Sequence, residues 1–319
     1  MVAAGEATLT LTPTSTTETV DYVSFTVGTF SKDFASADTV NLSGELHLPA
    51  GKGPFPVVVW QHGSGPANSN TLRQWRKDLR FALSEKRIGL FVADSYSGRG
   101  IKSTGRDQRK LSGSSRVVDV FKALEALAAH PKVDGNRIGI SGNSFGGIIS
   151  FRSSYETYAA RILPDGLRYA AHAPFYPACQ TRYSEYVSTG APMLFLLGEA
   201  DDYTPAGPCV EQVKLLKEAG VDAEVVVYTG AHHGFISSRS VRYKPMNQTF
   251  KGCGVRYLTP DGHIRTDYGS SEDMPYKTLI RKLIDTCVTR GVHVGRNSAA
   301  AKDALKRIVA FFSDKLVNG

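Results

Sequence analysis

The sequence predicts an α/β fold, a mostly parallel central sheet with helices on both faces. Three observations carry this expectation. From residue 56 onward, short apolar runs alternate with segments whose apolar residues recur at helical spacing. Several runs, such as Val57-Val58-Val59-Trp60 and Leu194-Phe195-Leu196-Leu197, are apolar throughout, the pattern of strands buried on both faces. The chain has 319 residues, 41% hydrophobic and 21% charged, enough apolar mass for a large core.

Residues 1–20 are Thr-rich, with Thr8, Thr10 and Thr12 alternating, and read as an edge strand or extended arm. Residues 21–319 read as one α/β domain. Strands are expected at Asp21–Val27 and Leu42–Leu48, ahead of a glycine-proline turn at Gly51–Pro56. Strand Pro56–Gln61, helix 71–87, strand Ile88–Ala93 and helix Ser115–Ala129 follow, the last with Val118, Phe121, Leu124 and Leu127 on one stripe. Strand Arg137–Ser141 leads into a helix that opens after Ser144. Strands Tyr169–Ala173 and Pro192–Leu197, helix Gly207–Ala219 and strand Ala223–Tyr228 continue the alternation, which implies a parallel sheet. The terminal helix, Ser298–Leu316, carries Ala301, Leu305, Ile308, Val309 and Phe312 on one stripe. Residues 236–296 are the least regular stretch and read as an excursion near the mouth of a site.

Composition excludes several classes. The apolar runs fall far short of the roughly 20 residues that span a bilayer, so no membrane span is expected. The net charge is +8, but the basic residues are scattered. The densest cluster, Arg73, Arg76, Lys77 and Arg80, has i, i+3, i+4, i+7 spacing and reads as a solvated helix face, not a nucleic-acid site. The four cysteines, Cys179, Cys209, Cys253 and Cys287, form no C-x-x-C pair, so no thiolate metal site is expected. Their even number fits two disulfides in an oxidising compartment or four buried thiols in the cytosol. Met1–Gly5 lacks the basic and apolar regions of a signal peptide, which reads as a cytosolic chain or a mature form with an added Met.

The chemistry centres on Gly142-Asn143-Ser144-Phe145-Gly146, a G-x-S-x-G sequence between an apolar strand and a helix-compatible run. Such a turn projects a serine hydroxyl from the top of a sheet, and small flanking residues avoid collision with neighbouring backbone. Serine needs a base to take its proton and a carboxylate to orient that base. Leu197-Gly198-Glu199-Ala200-Asp201-Asp202 ends a strand with carboxylates; Asp201, Asp202 and Glu199 share one short loop, and Asp201 is favoured over Asp202 as closer to the strand end. Ala231-His232-His233-Gly234 follows the next strand, and His233 is favoured over His232 because the following glycine leaves room for its ring. Acyl transfer also needs oxyanion donors. The backbone N–H groups of Phe145, directly after the nucleophile, and of Ser64, in His62-Gly63-Ser64-Gly65 after an earlier strand, are assigned this role.

On these residues the chain resembles the α/β-hydrolase fold and, within it, the dienelactone hydrolase family. The likeness runs from about residue 40 to the C-terminus. It rests on Val59-Trp60-Gln61-His62-Gly63, Asp94-Ser95-Tyr96-Ser97-Gly98-Arg99-Gly100, Val133-Asp134 with Arg137-Ile138-Gly139, and the Ser144 elbow. Gly198-Glu199-Ala200-Asp201-Asp202-Tyr203-Thr204-Pro205 and His232-His233-Gly234-Phe235 complete it. The family pattern places the acid on Asp201 and the base on His233. Dienelactone hydrolases proper carry cysteine at the nucleophile position, whereas this chain has Ser144, as esterase-like relatives do, so dienelactone itself is not the expected substrate. The resemblance also implies that Cys179 pairs with Cys209 and Cys253 with Cys287, as in periplasmic or secreted members.

Loop residues at the strand C-terminal ends should set specificity. The candidates are Trp60, Tyr96, Arg99, Phe145, Tyr176, Tyr203 and Phe235, an aromatic pocket in which Arg99 binds a carboxylate or carbonyl or else anchors a loop. The expected activity is serine carboxylester hydrolysis through an acyl-enzyme, on small to medium esters or lactones, some aromatic, without cofactor or metal. The alternatives are an amide or peptide hydrolase with the same triad and a non-catalytic binding protein on this fold. Oligomeric state is not legible.

Overall fold

The computed structural model describes residues 15–28, 37–183 and 187–318. Thr8, Thr10 and Thr12 of the expected arm lie outside the described residues. Strands β1 (Thr16–Thr26), β2 (Asp38–Leu48), β3 (Phe55–Gln61) and helix α1 (Arg73–Glu85) open the chain, followed by β4 (Gly89–Asp94), α2 (Gly113–Ala128), β5 (Val133–Asn143) and α3 (Phe145–Arg152). Then come α4 (Glu156–Ile162), β6 (Ala171–Phe175), β7 (Thr181–Tyr183), β8 (Met193–Gly198), α5 (Gly207–Glu218) and β9 (Ala223–Tyr228).

Eight strands form one sheet in the order β1-β2-β4-β3-β5-β6-β8-β9. β1, β2 and β4 pair antiparallel, and every pair from β4 through β3, β5, β6 and β8 to β9 is parallel. β3 is buried along its whole length, as its unbroken apolar run requires. The antiparallel strand β2, between β1 and β4, instead alternates, with Leu42, Leu46 and Leu48 buried on one face and Ser43, Glu45 and His47 on the other. The first strand thus starts five residues before its expected position and absorbs Thr16–Val20, because those residues pair with Gly44–Leu48.

Helices cover both faces of the sheet. Val117, Val120, Phe121 and Leu124 of α2 join Val57, Val59 and Ile140 in one core. Trp75, Leu79 and Leu83 of α1 meet Val58 and Trp60 in the other, with Ile308 and Phe312 of the C-terminal helix Ser298–Ser313. At about 25 cal/mol per Å² of apolar surface removed from water, these two layers dominate the stabilisation of the sheet.

The 236–296 excursion is more ordered than its sequence suggests. It contains β10 (Arg242–Thr249), β11 (Arg256–Leu258), β12 (Ile264–Thr266), β13 (Gly269–Ser270), α6 (Tyr276–Thr286) and β14 (Thr289–Val294), ahead of α7 (Ser298–Ser313). β10 pairs with β14, and β11–β13 join β7 in a four-stranded sheet. These strands are short, exposed and rich in Arg, Lys and Thr, so no period-2 apolar pattern marks them. Disulfides join Cys179 to Cys209 and Cys253 to Cys287, the pairing that the resemblance implied.

Candidate active site

β5 ends at Asn143 and α3 begins at Phe145, so Ser144 occupies the turn between them with φ 56° and ψ −118°. A non-glycine residue there is strained and persists only where its surroundings fix it. Glycines allow the turn to close. A Cβ on Gly146 would lie 1.9 Å from the Gln61 carbonyl oxygen, and one on Gly142 would lie 2.5 Å from the same atom. The small residues flanking Ser144 are therefore a consequence of backbone contact between the elbow and β3.

The Ser144 hydroxyl lies 2.9 Å from His233 Nε2, and His233 Nδ1 lies 2.8 Å from Asp201 Oδ2. Asp201 Oδ1 accepts the Tyr203 and Thr204 N–H groups at 2.9 and 2.8 Å, which fixes the carboxylate at the end of β8. The Thr204 hydroxyl sits 3.0 Å from both Asp201 Oδ2 and His233 Nδ1. The competing residues are engaged elsewhere. Asp202 accepts the backbone and ring N–H of His293, and Glu199 accepts the Gly230 N–H. The His232 ring lies beside His293, 5.6 Å between centroids.

The loop after β3 is locked from below. His62 Nδ1 donates to the Gly63 and Gly65 carbonyls, both at 2.8 Å, and Nε2 accepts the Ser95 N–H at 3.2 Å. Burial, reinforced by the Arg116 guanidinium, pushes the His62 pKa down to about 3, so the ring is neutral. Arg116 is fully buried, donates to the His62 and Gly63 carbonyls, and lies 4.5 Å from the centre of the Phe145 ring. With the Gly63 carbonyl held toward Arg116, the trans peptide directs the Ser64 N–H the opposite way. Gly63 itself lies against Asn143 and Ser144. Sequence reading missed Arg116, because a lone arginine on an amphipathic helix carries no periodic signal.

A cavity of about 480 Å³ opens over Ser144, lined by Ser64, Ser144, Tyr176, Tyr203 and His233 among others. Tyr176 meets the His233 ring edge-on and Tyr203 lies tilted against it, with centroids 4.8 and 4.5 Å away. Burial pushes the Tyr203 hydroxyl up to about 12 and Tyr176 well above its ordinary value, so both phenols are neutral at physiological pH.

Five of the seven expected substrate contacts do not line this cavity, Phe145 among them, whose ring packs on Arg116. Trp60 is fully buried between Trp75 and Phe175, because it points to the α1 face of the sheet. Phe235 is packed against Phe175, Tyr176 and Tyr228. Tyr96 lies against His62 with its hydroxyl 2.9 Å from that of Thr104. Arg99 makes a two-pronged pair with buried Asp119, 2.9 Å on each arm, and donates to the Ser95 and Phe25 carbonyls, so it anchors a loop and does not line the cavity. The cavity wall instead carries Lys102, Arg106, Lys110, Asn247 and Val294. The only sequence signal for these cations is the charge density of residues 102–110, a stretch without periodicity.

A model of the dienelactone hydrolase family matches residues 90–251, half of the chain, and one described as FrsA-like esterase matches residues 5–162. "Protein usf" of Aquifex pyrophilus is 24% identical over 209 residues, covering 63% of this chain and 84% of the relative. Esterase EstD of Thermotoga maritima is 32% identical over 117 residues, 35% of this chain and 27% of its own length. A solved dienelactone hydrolase-like promiscuous phosphotriesterase from metagenomic libraries shares the fold, with a TM-score of 0.53 and 17% identity over 94% of this chain and 98% of that one. The elbow, the strand order and the family match agree: the chain belongs to the dienelactone hydrolase family and is a carboxylic ester hydrolase with an α/β-hydrolase fold.

Proposed function

We propose that the protein hydrolyses carboxylic esters through an acyl-enzyme formed on Ser144. The observation that carries this reading is the unbroken chain from Ser144 Oγ through His233 to Asp201, at 2.9 and 2.8 Å. As the ester carbonyl enters the cavity, Ser144 Oγ attacks it and His233 Nε2 takes the hydroxyl proton. Asp201 holds His233 in the tautomer with its free nitrogen toward serine and stabilises the imidazolium. The carbonyl oxygen, now anionic, receives the Phe145 and Ser64 N–H groups, the first of them at the N-terminus of α3. His233 returns the proton to the leaving alcohol, and water repeats the sequence to release the acid. Tyr176 and Tyr203 give the cavity an aromatic side suited to small or medium esters or lactones.

The two disulfides support maturation in an oxidising compartment, periplasmic or extracellular. Hydrolysis of p-nitrophenyl acyl esters, from acetate upward, by wild type and Ser144→Ala tests the mechanism. The expected result is loss of turnover in the variant by about a thousandfold or more. Equal activity in both would remove Ser144 from the chemistry.

A further inference from the structure

A second concavity adjoins the first. A groove of about 690 Å³ runs between α1 and the polar face of β1, β2 and β4, lined by Arg73, Arg76, Lys77 and Arg80 on the helix side. The two spaces share one wall, the loop of residues 66–72. Pro66, Ser69, Thr71 and Leu72 line the Ser144 cavity, and Ala67 and Asn68 line the groove. At their boundary His62 of the cavity and Asp94 of the groove approach to 4.0 Å.

The charges on this joint surface are unbalanced. Lys102, Arg106 and Lys110 line the Ser144 cavity, and no Asp or Glu does. The groove has three carboxylates against its four cations: Glu18, 3.5 Å from His130; Glu45, which pairs with His47 and acts on Arg76; and Asp94, which accepts from the Ser97 hydroxyl and the Tyr96 and Ser97 N–H groups. Among the described residues, none of the seven cations has a carboxylate within 4.0 Å. Arg76 is partly withdrawn from solvent in this setting, and Arg73 donates only to the Asn70 amide oxygen. This helix face borders a groove that only the 66–72 loop separates from the Ser144 cavity. On α1 the cations recur about once per 5.4 Å turn, so the groove suits a ligand with repeated negative charge more than a single carboxylate.

Accepting Ser144 as the nucleophile, we infer that the substrate is an ester carried on a polyanionic chain of the esterified acidic-polysaccharide type. Its ester lies at Ser144 and its charged units cross the 66–72 loop into the α1 groove. Such a polymer supplies both a carboxylic ester for this chemistry and repeated carboxylates for these cations. A nucleic acid supplies the charge without the carboxylic ester. Thr17, Thr19, Ser43 and Asn68 along the groove offer partners for sugar hydroxyls.

The test compares kcat/KM on partly acetylated polygalacturonate with kcat/KM on p-nitrophenyl acetate. In Arg73→Gln/Arg76→Gln/Lys77→Gln/Arg80→Gln the ratio of polymer to small ester should fall about tenfold or more, and in wild type it should fall as salt rises to about 0.5 M. The charge-preserving Arg73→Lys/Arg76→Lys/Arg80→Lys variant should restore the ratio. An unchanged ratio, or equal loss on both substrates, overturns the inference. Retention of de-esterified polygalacturonate by Ser144→Ala protein reads the groove apart from the chemistry. Bound polymer with an active Ser144→Ala enzyme would sink the nucleophile and leave the groove, whereas absent binding with an inactive variant would sink the groove alone. Duplex DNA competing as well as polygalacturonate at equal charge would assign the groove to nucleic acid and overturn the substrate class.

Discussion

The elbow around Ser144 and the 236–296 excursion both border the cavity, yet different forces hold them. The elbow is backbone packed on backbone, with Gly142 and Gly146 against the Gln61 carbonyl and Gly147 against that of Phe175. Beneath it lie two large apolar layers. Among the described residues, the excursion's own buried cluster is Cys253, Leu283 and Cys287, with half-buried Phe250, Tyr268, Ile280 and Val288 against it. It reaches the site through separate hydrogen bonds: Gly295 N–H to the His233 carbonyl, the Thr249 hydroxyl to the Tyr203 carbonyl, and His293 to Asp202. The half of the site that must position reacting atoms is thus close-packed, and the half that borders substrate is tied at a few points. Specificity can change in the second without disturbing the first.

The most severe way to break this contrast is to add one methyl group to the elbow. In Gly146→Ala the new Cβ meets the Gln61 carbonyl oxygen at 1.9 Å, so β3 and the elbow must part. Ester turnover should fall by more than about a hundredfold, because a shift of about 1 Å at the reacting atoms has that effect. Denaturant unfolding should show a loss of about 3 kcal/mol. An active, stable variant would mean that the elbow is not close-packed.

Arg99 tests the same half through stability and not through turnover. Arg99→Ala leaves the Asp119 carboxylate buried with the Ser24 hydroxyl but no cation, a loss of about 3–5 kcal/mol. Any activity change should be the same for anionic and neutral esters. Selective loss on anionic esters would return Arg99 to the substrate.

The difference between the two regions also explains what the sequence revealed. Val57–Gln61, the Ser144 elbow, Asp201 and His233 were legible because parallel strands and strained turns admit few residue types. Arg99 and Trp60 were misplaced because residue type and a strand-end position do not reveal which face a side chain takes. Trp60 and Gln61 are neighbours, yet the first points to the α1 layer and the second bonds Ser95. The cations at 73–80 were placed correctly on a helix. The groove they face arises from tertiary packing of β1 and β2, which periodicity along α1 could not show.

Acid acts on the close-packed half. Burial pushes the His172 pKa down to about 4, and burial with Arg116 pushes His62 to about 3, both below the ordinary 6.5 of an unfolded chain. Below about pH 6.5 the unfolded state binds protons that the folded state refuses, so stability is full above that pH and declines as pH falls toward 4 and then 3. Denaturant midpoints measured between pH 7 and 4.5 should fall, and the slope should be shallower in His172→Leu. That variant leaves the Ser150 carbonyl with the Ser153 hydroxyl as a partner. An identical slope would mean that His172 charges freely in the folded protein.

The excursion should respond to the loss of one covalent link and little else. Cys253 and Cys287 are 34 residues apart, and closing a loop of that length restricts the unlinked ensemble by about 3–4 kcal/mol. In Cys253→Ala/Cys287→Ala that restriction is lost where the cluster keeps only buried Leu283 and half-buried Phe250, Tyr268, Ile280 and Val288 among the described residues. Hydrogen exchange should rise across β10, α6 and β14 while β3, β5 and β6 keep their protection. Because Asn247 and Val294 line the cavity, KM for bulky esters should increase by less than about tenfold, with kcat for p-nitrophenyl acetate nearly unchanged. Faster exchange in β5 would show that the excursion and the elbow open as one unit, and the distinction between a rigid half and a tied half would fail. Exchange confined to the excursion would instead locate the adaptable part of the site in the segment with the least apolar burial.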